Sequence, residues 1–311
     1  MSEISAPTLL LPLTGLGLIR LQGPEARAFL QSQLTNDANA VSAEQAQLSG
    51  YCSPKGRLLT LGTMLMLDSS GEQFGLTLAQ STLAATLKRL RMFVLRSKLT
   101  LDDASADWSA LGLMGPKAAQ ALAQLDLAAP ATDWGTTLAD GLLVLRRPGP
   151  VPRYELRGTP QRLADCAARL QLPAGQRNDW DLQDIAAGLP EVVAETVDQW
   201  VPQAVALDRL GGVSFTKGCY PGQEIVARVH YLGRVKQGLF RASVSADTAH
   251  AGTRVLAGQG DGGAGQVVRA ARRSDGTWML LLSLNLDATD RHLRLDEAGE
   301  AALHDITAIN F

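Results

Sequence analysis

The most reactive combination of side chains in this sequence falls in one short stretch, residues 211–228. Cys219 supplies a thiol, and Lys217 stands two residues before it. A cation close to a thiol favours the thiolate, which is the nucleophilic and metal-binding form of cysteine. The stretch therefore predicts a functional thiol at Cys219, with Lys217 as the residue that promotes its ionisation.

Glycines shape the backbone around this thiol. Four glycines and one proline fall within residues 211–222, and glycine adopts backbone conformations that other residues avoid. We therefore expect a shaped loop. Gln223, Glu224 and Arg228 follow shortly after, and we expect their side chains to fix the loop by hydrogen bonds and charge pairing.

The other two cysteines are expected to pack in the core. Cys166 lies in an amphipathic helical pattern and Cys52 at a strand end, where free cysteine acts as a small hydrophobe. The same inert role is the alternative for Cys219. No Cys-x-x-Cys pair occurs, so we predict no metal site, and one cysteine cannot hold an iron–sulfur cluster that takes four ligands. Transient contact, ligation shared with a partner and thiol exchange stay open.

Composition describes a globular chain with a sizeable core. Its 311 residues are 46% hydrophobic and 19% charged, which favours two or three packed units over disorder. The net charge of −2 gives no basic field over the whole protein for nucleic acid. No apolar run has the length of a membrane span, and the N-terminus does not resemble a signal or transit peptide, so we expect a cytoplasmic protein.

The elements that would position the thiol follow a repeated pattern. The motif Gly-Pro-x-Ala-x-x-x-Leu begins at Gly23 and again at Gly115, and proline suits the first turn of a helix. The surrounding order of strands and helices predicts an α+β fold with two ferredoxin-like (βαββαβ) modules, between which strand exchange stays open. Short strand candidates after Val235 predict a small antiparallel β-barrel. The expected domains are 1–105, 106–234 and 235–311.

The stretch Lys217–Arg228, Lys-Gly-Cys-Tyr-x-Gly-Gln-Glu-x-x-Ala-Arg, resembles the signature of the YgfZ family. That family is related to the T-protein (aminomethyltransferase) of the glycine cleavage system. Similar segments occur in the early helix, at Gly23–Ala26 and Gln33–Asp37, and in the middle of the chain, at Ala187–Pro190 and Pro202-Gln203. The resemblance covers nearly the whole chain.

The resemblance implies a folate-binding fold of interleaved ferredoxin-like modules with a C-terminal barrel, enclosing a central cavity. It also implies tetrahydrofolate as the ligand, and a role in assembling or repairing 4Fe–4S enzymes such as the radical enzyme that methylthiolates tRNA. Trp180 stands where relatives place an aromatic ring beside the pterin, although core burial is its alternative. We assign Trp180, Gln223, Glu224 and Arg228 to cofactor binding.

The sequence departs from the aminomethyltransferase at the hairpin Lys55–Leu61, which carries no carboxylate. Without one, general-base help and stabilisation of a cationic intermediate are missing there, so a conventional enzyme is the weaker hypothesis. Two alternatives stay open. One is a folate-dependent aminomethyl- or methyltransferase of unknown substrate. The other is a tRNA-binding module that uses the basic helix of Lys88, Arg89 and Arg91, which a merely solvated helix face would also explain.

Overall fold

A computed structural model describes residues 7–233, 235–258, 262–289, 292–296 and 301–311. Over these residues the chain is a mixed α/β protein with six α-helices and three antiparallel sheets. None of the helices in the described ranges has the length and apolar character that a membrane crossing requires.

The strands alternate with helices in the first two thirds of the chain and follow one another in the last third. The helices are α1 (Ala26–Gln33), α2 (Gln80–Val94), α3 (Ala118–Gln124), α4 (Pro160–Leu170), α5 (Arg177–Ala186) and α6 (Gln223–Tyr231). The strands are β1 (Leu9–Pro12), β2 (Leu16–Gln22), β3 (Gln47–Cys52), β4 (Leu58–Met66), β5 (Gln73–Ala79), β6 (Thr100–Asp103), β7 (Ser109–Met114), β8 (Thr136–Ala139), β9 (Leu142–Arg146), β10 (Arg153–Gly158), β11 (Gln237–Val244), β12 (Arg254–Ala257), β13 (Gly263–Arg272), β14 (Trp278–Asn285), β15 (Leu293–Leu295) and β16 (Leu303–Ala308).

Two sheets have five strands each. Their orders are β3-β4-β5-β2-β6 and β1-β7-β10-β9-β8. The ferredoxin-like arrangement has four strands, so the prediction holds in its coarser form, a mixed α/β fold with antiparallel sheets. Strand β1 was not expected from the sequence, and it pairs with β7, Leu9 opposite Met114.

Local sequence signals explain the helices that cover these sheets. In α4, the side-chain oxygen of Thr159 accepts a hydrogen bond from the Arg162 amide, and Pro160 occupies the first turn. Leu163, Cys166 and Leu170 recur at helical spacing and are buried, so this face of α4 belongs to the core. The prediction that Cys166 packs in an amphipathic helix is confirmed.

The chain divides into two compact units. The first contains described residues of 1–31, 38–48 and 62–183, and the second contains 32–37, 49–61 and described residues of 184–311. The chain therefore passes from one unit to the other five times, after residues 31, 37, 48, 61 and 183. Strands β3 and β4 each run from one unit into the other.

The second unit contains a six-stranded sheet of order β15-β12-β13-β14-β11-β16. This sheet curls so that its edge strand β15 reaches the residues just before the other edge strand, β16. The Leu295 amide donates to the Ala301 carbonyl, and Arg294 pairs with Ala302. Val255, Val267 and Leu282 are among the apolar side chains that fill its inner face. The predicted barrel is thus a curled half-barrel in the structure.

Candidate functional site

The candidate site lies in the second unit and is centred on Cys219. Its side chain is exposed, whereas Cys52 and Cys166 are buried. Burial, together with the negative charge of Asp198, raises the pKa of the Cys52 thiol to about 12. Among the three cysteines, Cys219 is therefore the one that a solvent-borne reagent or a partner can reach.

Lys217 anchors the loop that carries this thiol. Its ammonium nitrogen donates to the carbonyl oxygen of Leu34 at 2.6 Å and to that of Asn36 at 3.0 Å. It also lies 5.2 Å from the centre of the Tyr220 ring. Burial lowers the pKa of Lys217 to about 8, against the opposing effect of the Asp37 charge. That Lys217 promotes the ionisation of Cys219 stays a prediction.

The residues after α1 hold the loop in return. The Thr35 hydroxyl donates to the Gly212 carbonyl at 2.7 Å, and the Asn36 side-chain amide donates to the Gly211 carbonyl at 2.7 Å. The Ser214 amide donates to the Thr35 carbonyl at 3.0 Å. Sequence reasoning missed this anchoring role, although the run Thr35-Asn36-Asp37 of short polar residues directly after a helix was a visible signal.

A close contact between two glycines ends the loop. Gly222 has a φ of +80°, and a Cβ there would lie 2.4 Å from the Ser53 carbonyl oxygen and 2.7 Å from the Cα of Gly56. Glycine at 222 therefore allows the loop to meet the hairpin of residues 53–57 and to begin α6. The structure thus places the hairpin, whose own residues 55–61 include no carboxylate, next to the cysteine loop.

A carboxylate reaches this hairpin from another part of the chain. Asp198 accepts a hydrogen bond from the Ser53 hydroxyl at 2.7 Å, and its own backbone carbonyl accepts one from Arg57. Asp198 lies 145 residues from Ser53 in the sequence, so no local pattern could have shown it. The carboxylate serves here as a hydrogen-bond acceptor that fixes the hairpin.

Gln223, Glu224 and Arg228 lie in α6 rather than in the loop. Val226 on the same helix is fully buried, and its carbonyl accepts from the Gln203 side chain at 2.8 Å. The side chains of Glu224 and Arg228 are exposed. The bonds that fix the loop come from Lys217 and from the residues after α1, and cofactor binding by the three helix residues stays a prediction.

Trp180 belongs to the first unit. Its side chain is 1% exposed and packs with Leu11, Leu13 and Met114. The guanidinium carbon of Arg153 lies 4.9 Å from the centre of the indole ring. A Cβ at Gly112 would come within 2.7 Å of the ring, so a larger residue there would collide with it. Stacking on a pterin stays a prediction, and it would require this cluster to open.

In the ranges that the structure describes, no group of three or more His, Cys, Asp or Glu side chains is placed to hold a metal ion.

Comparisons with known proteins agree on a family and a fold. Residues 8–137 match the model of the GCVT N-terminal domain. The tRNA-modifying protein YgfZ of Yersinia pseudotuberculosis is 32% identical over 306 residues, 96% of this chain and 91% of that protein. The protein of the same name from Photorhabdus laumondii is 33% identical over 248 residues, 79% of this chain and 74% of that protein.

Among solved structures, aminomethyltransferase T of the glycine cleavage system from Bartonella henselae superposes with a TM-score of 0.71. The match covers 99% of this chain and 86% of that one, at 15% identity. At this identity the similarity establishes the fold, and it assigns no residue a role.

Proposed function

The chain belongs to the YgfZ family, and from this premise we propose that it is a folate-binding accessory protein for iron–sulfur enzymes. It supports the assembly or repair of 4Fe–4S enzymes, including those that methylthiolate tRNA, and it works in the cytoplasm. The relatives carry the name tRNA-modifying protein, which favours a client in tRNA modification.

The observation that carries this proposal is the exposed thiol of Cys219 on a loop with a fixed base. A single cysteine cannot hold a 4Fe–4S cluster, which takes four ligands. An exposed thiol can instead share ligation with a client enzyme, or its thiolate can attack a disulfide of that enzyme to form a mixed disulfide and release the other sulfur as a thiolate. Lys217 keeps the loop in place, so that Cys219 is presented at a defined position.

Tetrahydrofolate is the cofactor in this proposal, and helix α5 offers groups that fit a pterin. Trp180 provides an aromatic ring, and three residues later the side-chain oxygen of Gln183 is buried without a hydrogen-bond partner among the described residues. A buried acceptor without a partner costs roughly 1–3 kcal/mol, which an N–H group of a bound pterin would offset. Gln223, Glu224 and Arg228 stay proposed cofactor contacts through their polar groups.

The test uses cells that lack the protein. The methylthiolated tRNA nucleoside is quantified by mass spectrometry after return of the natural protein, Cys219→Ala or Gly218→Ala, at matched protein levels. A Cβ at Gly218 would meet nothing within 4 Å, so this neighbouring substitution controls for disturbance of the loop. We expect the natural protein and Gly218→Ala to restore the nucleoside and Cys219→Ala to leave it low. Full restoration by Cys219→Ala would remove the thiol from the mechanism.

A folate-dependent aminomethyl- or methyltransferase is the second candidate, and one observation favours it. Asp198 supplies a carboxylate beside the hairpin of residues 53–57, where the sequence by itself offers none. The fold shared with aminomethyltransferase T is consistent with such chemistry. Turnover of tetrahydrofolate to a methylene form by the purified protein would support this reaction.

A contact with tRNA through the basic end of α2 is part of the same proposal. Lys88 and Arg91 are exposed, and no carboxylate pairs with either of them within the described ranges. Arg89 lies over the ring of Phe93, with its guanidinium carbon 5.8 Å from the ring centre. Exposed cations in such a group attract a polyanion.

We also interpret the two five-stranded sheets as ferredoxin-like modules with one added strand each. In the first sheet, four neighbouring strands have the spatial order β6-β2-β5-β4, and helices α1 and α2 come directly after β2 and β5 in the chain. In the second sheet, the spatial order is β1-β7-β10-β9, and helices α3 and α4 come after β7 and β10 in the chain. Strand β1 then occupies the place of a strand that would follow α4. The division into domains 1–105, 106–234 and 235–311 is part of this interpretation.

A further inference from the structure

Three rings contact one another at the end of α6, where His230 and Tyr231 are exposed and Phe215 is half-buried. We call these three residues, together with the exposed Leu232 that follows them, the aromatic cluster. Phe215 and His230 stack with ring centres 3.7 Å apart and an interplanar angle of 15°. Tyr231 meets His230 edge to face at 4.7 Å. Tyr231 is 65% exposed and Leu232 is 85% exposed. Large apolar side chains usually lie inside, so a cluster exposed to this degree indicates a binding surface.

Cations accompany this cluster. Arg228 lies one helical turn before Tyr231 and is exposed, and Lys236 follows the cluster and is exposed too. Lys55 is exposed beside Gly56, at which a Cβ would lie 2.8 Å from Ile225 of α6. Over the described part of the chain, none of these three cations has a carboxylate within ion-pair distance. Glu224 is the exposed carboxylate of the same helix, and among the described residues Arg228 and Lys236 are the exposed cations nearest to the cluster in the sequence.

Exposed rings with surrounding cations match the chemistry of unpaired nucleotides. A base stacks on an aromatic face whatever its identity, and the cations attract the phosphates on either side. A duplex keeps its bases stacked inside and could use the cations only. An acidic protein surface could likewise pair with the cations, but it has no particular use for flat rings in this arrangement.

We propose that the aromatic cluster binds an unpaired nucleotide of RNA, with the base stacked on Tyr231 and the adjoining phosphates near Arg228 and Lys236. This inference goes beyond the proposed function, which puts its contact with tRNA on the basic end of α2 and assigns no RNA contact to α6. The proposed RNA contact lies on α6 in the second unit, and it does not depend on the tRNA contact proposed for α2.

The test measures RNA binding by the full-length protein through fluorescence anisotropy. The probes are a labelled RNA hairpin with an unpaired loop and a blunt RNA duplex of the same length. We expect the hairpin to bind more tightly than the duplex. Stacking of one base contributes roughly 1–3 kcal/mol, so Tyr231→Ala should weaken hairpin binding about fivefold or more. Tyr231→Phe keeps the ring and should bind within about twofold of the natural protein.

Arg228→Ala tests the cationic part. Loss of one phosphate contact should lower the slope of log affinity against log salt by about 0.7. The proposal is overturned if the natural protein does not bind the hairpin, if the duplex binds as tightly as the hairpin, or if Tyr231→Ala binds like the natural protein. Equal competition by polyglutamate would point to an acidic protein partner and would overturn it too. Circular dichroism confirms that each variant is folded.

The outcome can be separated from that of the proposed function. Cys219→Ala should bind the hairpin as the natural protein does, because the thiol has no part in stacking. If Tyr231→Ala binds the hairpin like the natural protein while Cys219 proves essential for the tRNA nucleoside in cells, only this inference is lost. If binding succeeds while Cys219→Ala restores the nucleoside, only the role of the thiol is lost.

Discussion

Lys217 and Cys219 are separated by one residue and meet opposite environments. The ammonium of Lys217 points inward to two carbonyl oxygens, and the Cys219 side chain lies at the surface. The spacing Lys-x-Cys suggested that the cation acts on the thiol, but spacing in an irregular loop does not determine where each side chain points. The structure gives Lys217 an anchoring role that is independent of any influence on Cys219.

Replacing Lys217 by Met should lower the free energy of unfolding by about 1 kcal/mol at pH 7, because the carbonyl oxygens of Leu34 and Asn36 lose their donor. The difference should also depend on pH. The pKa of Lys217 is lowered from 10.5 to about 8, so above pH 8 the unfolded chain holds a proton that the folded chain has released. The contribution of Lys217 to stability therefore rises with pH from about 8 toward 10.5.

Urea unfolding at pH 7, 8 and 9 measures this effect as the difference between the natural protein and Lys217→Met. Taking the difference removes the opposing titration of Cys52, whose raised pKa costs stability above pH 9. Lys236→Met is the control, since Lys236 is exposed. A difference that stays constant from pH 7 to pH 9 would contradict the lowered pKa of Lys217, and no loss of stability at pH 7 would contradict the anchoring role.

Three glycines of the cysteine loop differ in backbone strain and in steric contact, so alanine substitutions at these positions should differ in their cost to stability. Gly222→Ala should cost at least about 2 kcal/mol, since it places a side chain at a φ of +80° and against the Ser53 carbonyl. Gly211 has a φ of +73°, but a Cβ there would meet no atom within 4 Å, so Gly211→Ala should lower the free energy of unfolding by about 1 kcal/mol. Gly218→Ala should change stability by less than about 0.5 kcal/mol. Thermal and urea unfolding of the three variants should give this order, and equal losses would contradict it.

Elements with strong local signals were predictable, and elements that depend on distant partners were not. The capped amphipathic helix α4 and the runs that form β11–β15 follow from periodicity and turn residues. Strand β1 has four residues ending at Pro12, and it forms because β7 offers an edge. Strand β16 is mostly exposed, so its sequence shows no apolar alternation. Helix α6 begins at Gln223, directly after the last glycine of the loop, and it is not among the elements predicted from the sequence.

The candidate site could be predicted at its centre but not at its supports. Cys219 and Lys217 were identified from residue type and spacing. Their supports are the segment 34–36, the hairpin 53–57 and Asp198, and Leu34 lies 183 residues before Lys217. Contacts across such separations arise from the path of the whole chain, which no local pattern encodes.

The path of the chain between the two units leads to a prediction about a fragment of the protein. The second unit takes residues 32–37 and 49–61 from the N-terminal part of the chain, so a fragment of residues 184–311 lacks the carbonyl groups that hold Lys217 and the hairpin that meets Gly222. The curled sheet keeps its own apolar core in that fragment, whereas the cysteine loop loses its base. Trypsin should therefore cleave after Lys217 at least tenfold faster in the fragment than in the full chain. Mass spectrometry of the digest over time measures the two cleavage rates. Cleavage after Lys236, which is exposed in the full chain, is the internal control and should differ little. Equal protection of Lys217 in both would mean that the loop is held from within residues 184–311, and that the N-terminal segments merely lie against it.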